Sequence, residues 1–163
     1  MAASMDPHAR LATADDEHVK PYVQKTLTTQ ALHFTISEVQ SRMALQDPDA
    51  LDLGYTRTMM VFLRFMPDPG HIVMIGLGGG SLAKFCHRHL PRARMQVVEI
   101  NPHVVALRDD FQVPPDGPRF EVILGDGAQF VRDSPERPDV LLLDGFTNEG
   151  QPAGLSSQRF YDD

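Results

Sequence analysis

Short apolar runs recur at regular intervals in the second half of the chain. They read HIVMI at residues 71–75, MQVVEI at 95–100, FEVILGDG at 120–127 and DVLLLDG at 139–145. Such runs lack the polar alternation of a strand with one solvated face, and they are typical of strands that a parallel sheet buries on both sides. The pattern therefore predicts four strands of a parallel sheet.

Segments with a helical period lie between these runs. One face of the first segment is formed by Leu82, Phe85, Cys86, His89 and Leu90. The second segment begins at Asn101, a residue type that caps helices, with Pro102 in its first turn, and continues through VVALRDDF; the third is AQFVRDS at 128–134. Strands that alternate with helices predict an α/β fold with a doubly wound, Rossmann-like parallel sheet.

The first half of the chain is less regular. Residues 31–45 alternate imperfectly, with Leu32, Phe34 and Ile36 on one side, and predict one or two short strands. Residues 55–66, YTRTMMVFLRFM, are apolar on most sides and predict a buried helix that the following proline ends. This half therefore predicts a small β/helical segment that packs against the sheet.

We divide the chain into three parts on this basis. Residues 1–20 are polar and without period and are expected to be flexible, 21–69 form the strand and helix segment, and 70–163 form the Rossmann-like domain. The tail SSQRFYDD predicts the start of another helix. Doubly wound sheets usually have more than four strands, so we expect this one to be truncated after the fourth.

Composition and charge narrow the classes of partner. A net charge of −7 disfavours binding to nucleic acid and is compatible with a cationic substrate. No run of 18 apolar residues is present, and the N-terminus lacks the apolar core of a secretory signal, so we expect no membrane association. A single cysteine, Cys86, and scattered histidines predict a cytoplasmic protein without a metal site.

A glycine-rich loop follows the first predicted strand of the sheet. GLGGGS matches the dinucleotide pattern G-x-G-x-x-G up to its last position, which is Ser81. We predict that Gly76, Gly78, Gly79 and Gly80 bring bare backbone to a cofactor; the alternative is that the glycines only allow a sharp turn. No Lys-Ser or Lys-Thr pair follows the loop, which excludes a P-loop for nucleoside triphosphates.

Acidic residues follow the next three strands, at the edge where such sheets bind ligands. Glu99 lies 23 residues after Gly76, where a carboxylate can accept both ribose hydroxyls of NAD or of S-adenosylmethionine, unless it is an ordinary exposed strand-end acid. Asp126 can bind the adenine amine, or it can merely cap the helix that begins at Gly127. Asp144 suits a sulfonium cation and an amine nucleophile better than a nicotinamide ring.

Taken in order, GLGGGS, VVEINP, LGDGAQF and LLLDGFTNEGQPAGLSSQRFY resemble the successive motifs of spermidine synthase-like proteins, the polyamine aminopropyltransferases. The resemblance implies a class I methyltransferase-type fold behind a small N-terminal β-domain, with residues 70–163 as an adenosyl-binding domain. It also implies that Glu99 holds the ribose, that Asp126 holds the adenine, and that Asp144 orients and deprotonates the attacking amine. Gln40 and Tyr55 correspond more loosely to substrate-side residues of that family.

Two positions depart from the family pattern. The glycine motif usually reads GGGDGG, and Gly79 stands at the aspartate. The loop after the fourth strand usually reads D-S-x-D-P, and Thr147 stands at its second aspartate. The first missing carboxylate is the one expected to meet the ammonium of decarboxylated S-adenosylmethionine, and without it the loop amides suit the carboxylate of intact S-adenosylmethionine equally well.

These observations support three hypotheses. The leading one is aminopropyl transfer from decarboxylated S-adenosylmethionine to a diamine such as putrescine, without a metal. The second is a methyltransferase of the same fold that uses intact S-adenosylmethionine, and the third is a nucleoside-binding protein without catalysis. The expected partner is a small-molecule amine, with a homodimer left open.

Overall fold

The structure is a computed structural model, and it describes residues 18–36, 38–146 and 150–162. Most of the predicted flexible N-terminus, residues 1–17, lies outside these ranges, as does Thr147. Two sheets and their connecting helices make up the described chain. Within the described ranges, no helix has the length and the apolar character that crossing a membrane requires.

The first sheet is antiparallel and contains three strands in the order β1-β2-β3. Its strands are β1 (Tyr22–Lys25), β2 (Thr29–His33) and β3 (Ser41–Ala44). β2 and β3 confirm the prediction of short strands within residues 31–45. β1 was not predicted, because all four of its residues are exposed and give no alternating pattern. Ile36 is 96% exposed and does not share a buried face with Leu32, because β2 ends at His33.

A helix follows this sheet and differs from the predicted one. α1 (Gly54–Met59) gives way to a 3₁₀ helix at Met60–Arg64, and the pair runs along the surface. The prediction of a buried helix over residues 55–66 is wrong, since Phe65 is 85% exposed and Val61 is 51% exposed. The tighter 3₁₀ turn does not keep the face of the α-helix. Thr56 and Met60 are buried, and Met59, Phe62 and Leu63 are only partly buried against the core.

The second sheet is parallel and confirms the predicted α/β fold. Its strands are β4 (His71–Ile75), β5 (Arg94–Glu99), β6 (Phe120–Leu124) and β7 (Val140–Leu143), in the order β6-β5-β4-β7. β5 and β6 lie on one side of β4, and β7 lies on the other. The strand order therefore reverses between β6 and β7, and a crevice opens at the carboxyl ends of β4 and β7.

Five helices connect or follow these strands. They are α2 (Ser81–His89), α3 (Pro102–Ala106), α4 (Gly127–Asp133), α5 (Ala153–Ser156) and α6 (Gln158–Asp162). The Asn101 side chain accepts a hydrogen bond from the His103 backbone N–H at 3.0 Å, which confirms the predicted cap of α3. α3 is shorter than the pattern predicts, because the chain turns after Ala106 and reaches a positive φ of 55° at Gln112.

The core forms one layer on each face of the parallel sheet. Ile72 and Met74 of β4 pack in a cluster with α2, whereas Val73 and Ile75 pack on the opposite face with α5 and α6. Successive side chains of a strand point to opposite faces, so an apolar run such as HIVMI supplies both layers. This double burial holds the carboxyl end of β4, and with it the glycine loop, at a fixed position.

One lysine is buried in the first of these layers. Lys84 of α2 is 1% exposed, and its Nζ donates a hydrogen bond to the Phe111 carbonyl at 2.8 Å. Burial lowers the pKa of Lys84 from 10.5 to about 8, against a smaller opposing effect of Asp49. The charged form therefore destabilises the native state.

We expect the difference in unfolding free energy between the wild-type protein and Lys84→Met to change with pH. Between about pH 8 and 10.5 the native lysine is neutral while the unfolded lysine still binds a proton. The unfolded state then binds more protons, so the wild type gains stability relative to the variant as pH rises, by roughly 3 kcal/mol at most. Urea unfolding at several pH values measures this, and a difference that stays flat or falls with pH would contradict it.

Candidate active site

A cavity of about 610 Å³ opens at the carboxyl ends of the parallel strands. Its volume lies within the range usual for small-molecule sites. Seven of the predicted site residues line it: Gln40, Gly76, Gly78, Glu99, Asp126, Gly127 and Asp144. The structure therefore brings together residues that span more than a hundred positions of the sequence.

Glu99 ends β5 and is held on both carboxylate oxygens. Its Oε2 accepts a hydrogen bond from the Leu77 backbone N–H, and its Oε1 accepts one from the Asn101 backbone N–H, both at 2.8 Å. The side chain is only 7% exposed, so it is not an ordinary exposed strand-end acid. A carboxylate has about four lone-pair sites, which leaves each oxygen of Glu99 able to accept a ligand hydroxyl.

Gly76 allows the segments that follow β4 and β7 to approach each other at the crevice. Its φ is +95°, and a Cβ atom there would lie 2.5 Å from the Asp144 carbonyl oxygen. A side chain at this position is excluded both by the backbone conformation of Gly76 and by the backbone that follows β7. The glycine thus fixes the distance between the glycine loop and the backbone of Asp144.

Gly79 and Gly80 lie in the same loop but are not among the residues that line the cavity. A Cβ atom at Gly79 would lie 2.7 Å from Ser41 Oγ and 2.9 Å from Phe111 Cδ1. A Cβ atom at Gly80 would lie 2.5 Å from Val113 Cγ2. Packing against neighbouring segments explains both glycines, and the space that the family's aspartate would enter is filled here by Ser41 and Phe111.

Asp126 and Gly127 join β6 to α4. Asp126 Oδ1 accepts a hydrogen bond from the Gln129 backbone N–H at 2.8 Å, so the carboxylate caps the helix as the simpler interpretation predicted. Asp126 also lines the cavity, and its Oδ2 has no hydrogen-bond partner among the described residues. A Cβ atom at Gly127 would lie 2.4 Å from Ile75 Cγ2, so this glycine lets α4 pack closely on β4.

Asp144 follows β7 and meets Tyr55 of α1. The Tyr55 hydroxyl donates a hydrogen bond to Asp144 Oδ2 at 3.2 Å, although the two residues are 89 positions apart. Burial raises the pKa of Asp144 to about 6, the hydrogen bond from Tyr55 lowers it, and the charge of Glu99 raises it. Partial burial of Tyr55, followed by the charge of Asp144, raises the pKa of the phenol.

A small polar recess adjoins the cavity at Asp144. Its polar lining comes from Gln40, Ser41, Tyr55, Thr56, Ser81 and Asp144. Gln40 and Tyr55, the substrate-side candidates, therefore lie beside the acid at the end of β7. The antiparallel sheet and α1 supply one wall of the recess, and the parallel sheet supplies the other.

Sequence reasoning missed several residues that line the site. Ile100 directly follows Glu99, and Phe146 lies two residues after Asp144; both line the cavity, with exposures of 50% and 53%. The rule that strand ends point at the ligand could have found them. Phe34 follows β2 and lines the cavity, and Ser41 of β3 lines the adjoining recess; no local sequence pattern indicates either position.

We expect Tyr55→Phe to raise the pKa of Asp144 above about 6, because the variant loses the hydrogen bond that favours the carboxylate. Titration of the Asp144 side-chain carbon by ¹³C NMR measures this. Tyr22→Phe is a matched control, since the Tyr22 hydroxyl donates to the Thr35 carbonyl instead. An Asp144 pKa that is unchanged or lower in Tyr55→Phe would contradict the role given to this bond.

Comparison with solved structures supports the fold. A probable spermidine synthase from Corynebacterium glutamicum superposes with a TM-score of 0.70 at 20% identity, covering 86% of this chain and 54% of that chain. Human methyltransferase-like protein 13, solved in complex with SAH, superposes with a TM-score of 0.61 at 23% identity, covering 68% of this chain and 58% of that chain.

Comparison of sequences is more specific. No protein-family model matches the chain. A polyamine aminopropyltransferase from Chromobacterium violaceum is 42% identical over 135 residues, which make up 82% of this chain and 52% of that protein. The chain therefore spans about half the length of this curated relative. With its fold, its ordered motifs and this identity, the chain belongs to the spermidine synthase-like family.

Proposed function

We propose that the protein transfers an aminopropyl group from decarboxylated S-adenosylmethionine to a diamine such as putrescine. The observation that carries this proposal is the arrangement of Glu99 and Asp144 in one cavity. One carboxylate is fixed by two backbone N–H groups at the end of β5, and the other has a raised pKa at the end of β7. A nucleoside and an amine can then be held side by side.

The charge of the cavity favours the decarboxylated cofactor. Glu99, Asp126 and Asp144 line it, whereas none of its described lining residues is a lysine or arginine, and His18 is the one basic side chain among them. A sulfonium and an ammonium group are attracted by these carboxylates. The carboxylate of intact S-adenosylmethionine would enter the same field without a cationic side chain to meet it.

Each acid has a separate role in the proposed reaction. Glu99 accepts the ribose hydroxyls, and Asp126 Oδ2 accepts the adenine amine while Oδ1 stays on the helix cap. Asp144 orients the acceptor amine and takes its proton. The amine nitrogen then attacks the carbon beside the sulfonium, the carbon–sulfur bond breaks with its electron pair on sulfur, and methylthioadenosine leaves as a neutral thioether.

A methyltransferase reaction with intact S-adenosylmethionine is the second candidate. It is favoured by Gly79, where Ser41 and Phe111 occupy the space of the family's aspartate. Without that carboxylate, the ammonium of the decarboxylated cofactor loses one partner. Methyltransferase-like protein 13 shares this fold. We rank this candidate second because the three carboxylates of the cavity disfavour an added anionic group.

Other expectations remain predictions. The expected partner is a small-molecule amine, and a homodimer is left open. We also expect no binding to nucleic acid or membrane, no metal in the reaction, and a cytoplasmic location. The domain division at residues 20 and 69 is likewise a proposal, although the antiparallel sheet and α1 lie before residue 70.

We expect Asp144→Asn to lower the rate of aminopropyl transfer by about 10²–10⁴-fold, because an amide cannot accept the amine proton. Nucleoside affinity should stay close to that of the wild type, since Glu99 and Asp126 are unchanged. Mass spectrometry of the products, after incubation with both cofactors and a mixed pool of amines, measures the reaction. Methylthioadenosine marks aminopropyl transfer, and S-adenosylhomocysteine marks methyl transfer.

Asp133→Asn is the matched control, because Asp133 is an exposed aspartate at the end of α4 that contacts Arg132. It should leave turnover unchanged. Full turnover in Asp144→Asn would refute the base assignment. S-adenosylhomocysteine as the product would favour the methyltransferase, and ligand binding without either product would favour a nucleoside-binding protein.

A further inference from the structure

Besides the bonds that its carbonyl accepts within α3, Asn101 makes three hydrogen bonds at the end of β5. Its backbone N–H donates to Glu99 Oε1 at 2.8 Å, and its side-chain Oδ1 accepts from the His103 N–H at 3.0 Å. Its side-chain Nδ2 donates to the Val19 carbonyl oxygen at 2.9 Å. One buried residue, 7% exposed, thus joins the acid of β5, the start of α3 and the segment before β1.

The orientation of this amide is determined by its partners. A backbone N–H can only donate and a carbonyl can only accept, so a flipped amide would place like groups against each other at both ends. The helix cap needs only the oxygen, and residue types such as serine and aspartate supply one equally well. The nitrogen of Asn101 is the part that the cap does not explain.

The segment that Asn101 holds is part of the cavity wall. We call residues 18–20 the strap; they lead into Pro21, which is buried, and then into β1. His18 and Val19 line the cavity together with Glu99, Ile100 and Val104. Val19 is 56% exposed, so the strap lies at the surface, over the end of the cavity where Glu99 stands.

We propose that Asn101 is a positioning residue that latches the strap over the nucleoside end of the cavity. The inference rests on the proposed function for the identity of the ligand. Asn101 itself lines the cavity, but its proposed effect is exerted through Val19 and not on the reacting atoms. Because the strap forms one wall of the cavity, a bound nucleoside leaves more slowly while the latch is closed. For the ligand to leave past the strap, the hydrogen bond between Asn101 Nδ2 and the Val19 carbonyl must break or lengthen.

The test compares Asn101→Ser with Asn101→Ala. Serine keeps an oxygen for the cap of α3 and introduces no charge, but it lacks the Nδ2 donor; alanine lacks both groups. The probes are decarboxylated S-adenosylmethionine and methylthioadenosine. Stopped-flow measurement should show dissociation about 2- to 10-fold faster in both variants, the range expected for one neutral hydrogen bond. The midpoint temperature of thermal unfolding should be lower in the alanine variant and close to the wild-type value in the serine variant.

Hydrogen exchange supplies a readout that a cap would not change. Backbone amides of residues 18–20 should be protected by methylthioadenosine in the wild type and less so in Asn101→Ser. If the serine variant shows the same ligand dissociation rates and the same protection of the strap amides as the wild type, the proposed role of Asn101 is wrong. If the wild-type protein binds neither probe, the proposed function fails, and exchange of the strap amides without ligand still decides whether Asn101 tethers the strap.

Discussion

The site depends on the buried carboxylate of Glu99, which accepts hydrogen bonds from backbone N–H groups in place of water. Glu99 is buried at the end of β5, and each of its oxygens accepts a hydrogen bond from a different segment, the glycine loop at Leu77 and the start of α3 at Asn101. A buried acid without such partners would be strongly destabilising, so these bonds are a condition of the fold as well as of the site. They fix the glycine loop and the end of β5 relative to each other before any ligand arrives.

The charge of Glu99 also contributes to the raised pKa of the second acid, after the larger effect of burial. Asp144 shares the cavity with it, and burial together with the Glu99 charge raises the pKa of Asp144, while Tyr55 limits the rise. A carboxyl with a pKa of about 6 is ionised near neutral pH and is still able to accept a proton. In the proposed function, the same negative field attracts a ligand that carries positive charge at both its sulfur and its amine.

The sequence predicted the parallel sheet and much of its binding edge. Glu99, Asp126 and Asp144 were predicted from their positions after apolar runs, because the carboxyl ends of parallel strands meet at one edge. The packing of Gly79 could not be predicted, since Ser41 and Phe111 come from distant segments. The exposed strand β1 and the surface position of residues 55–66 could not be predicted either, because apolar composition alone does not tell which residues reach the core.

The proposed function requires this cavity to select a doubly cationic adenosyl ligand. Isothermal titration calorimetry of the wild-type protein with decarboxylated and with intact S-adenosylmethionine, under the same buffer and salt conditions, tests it most directly. We expect a lower Kd for the decarboxylated cofactor. A lower Kd for the intact cofactor, or no binding of either, would contradict it.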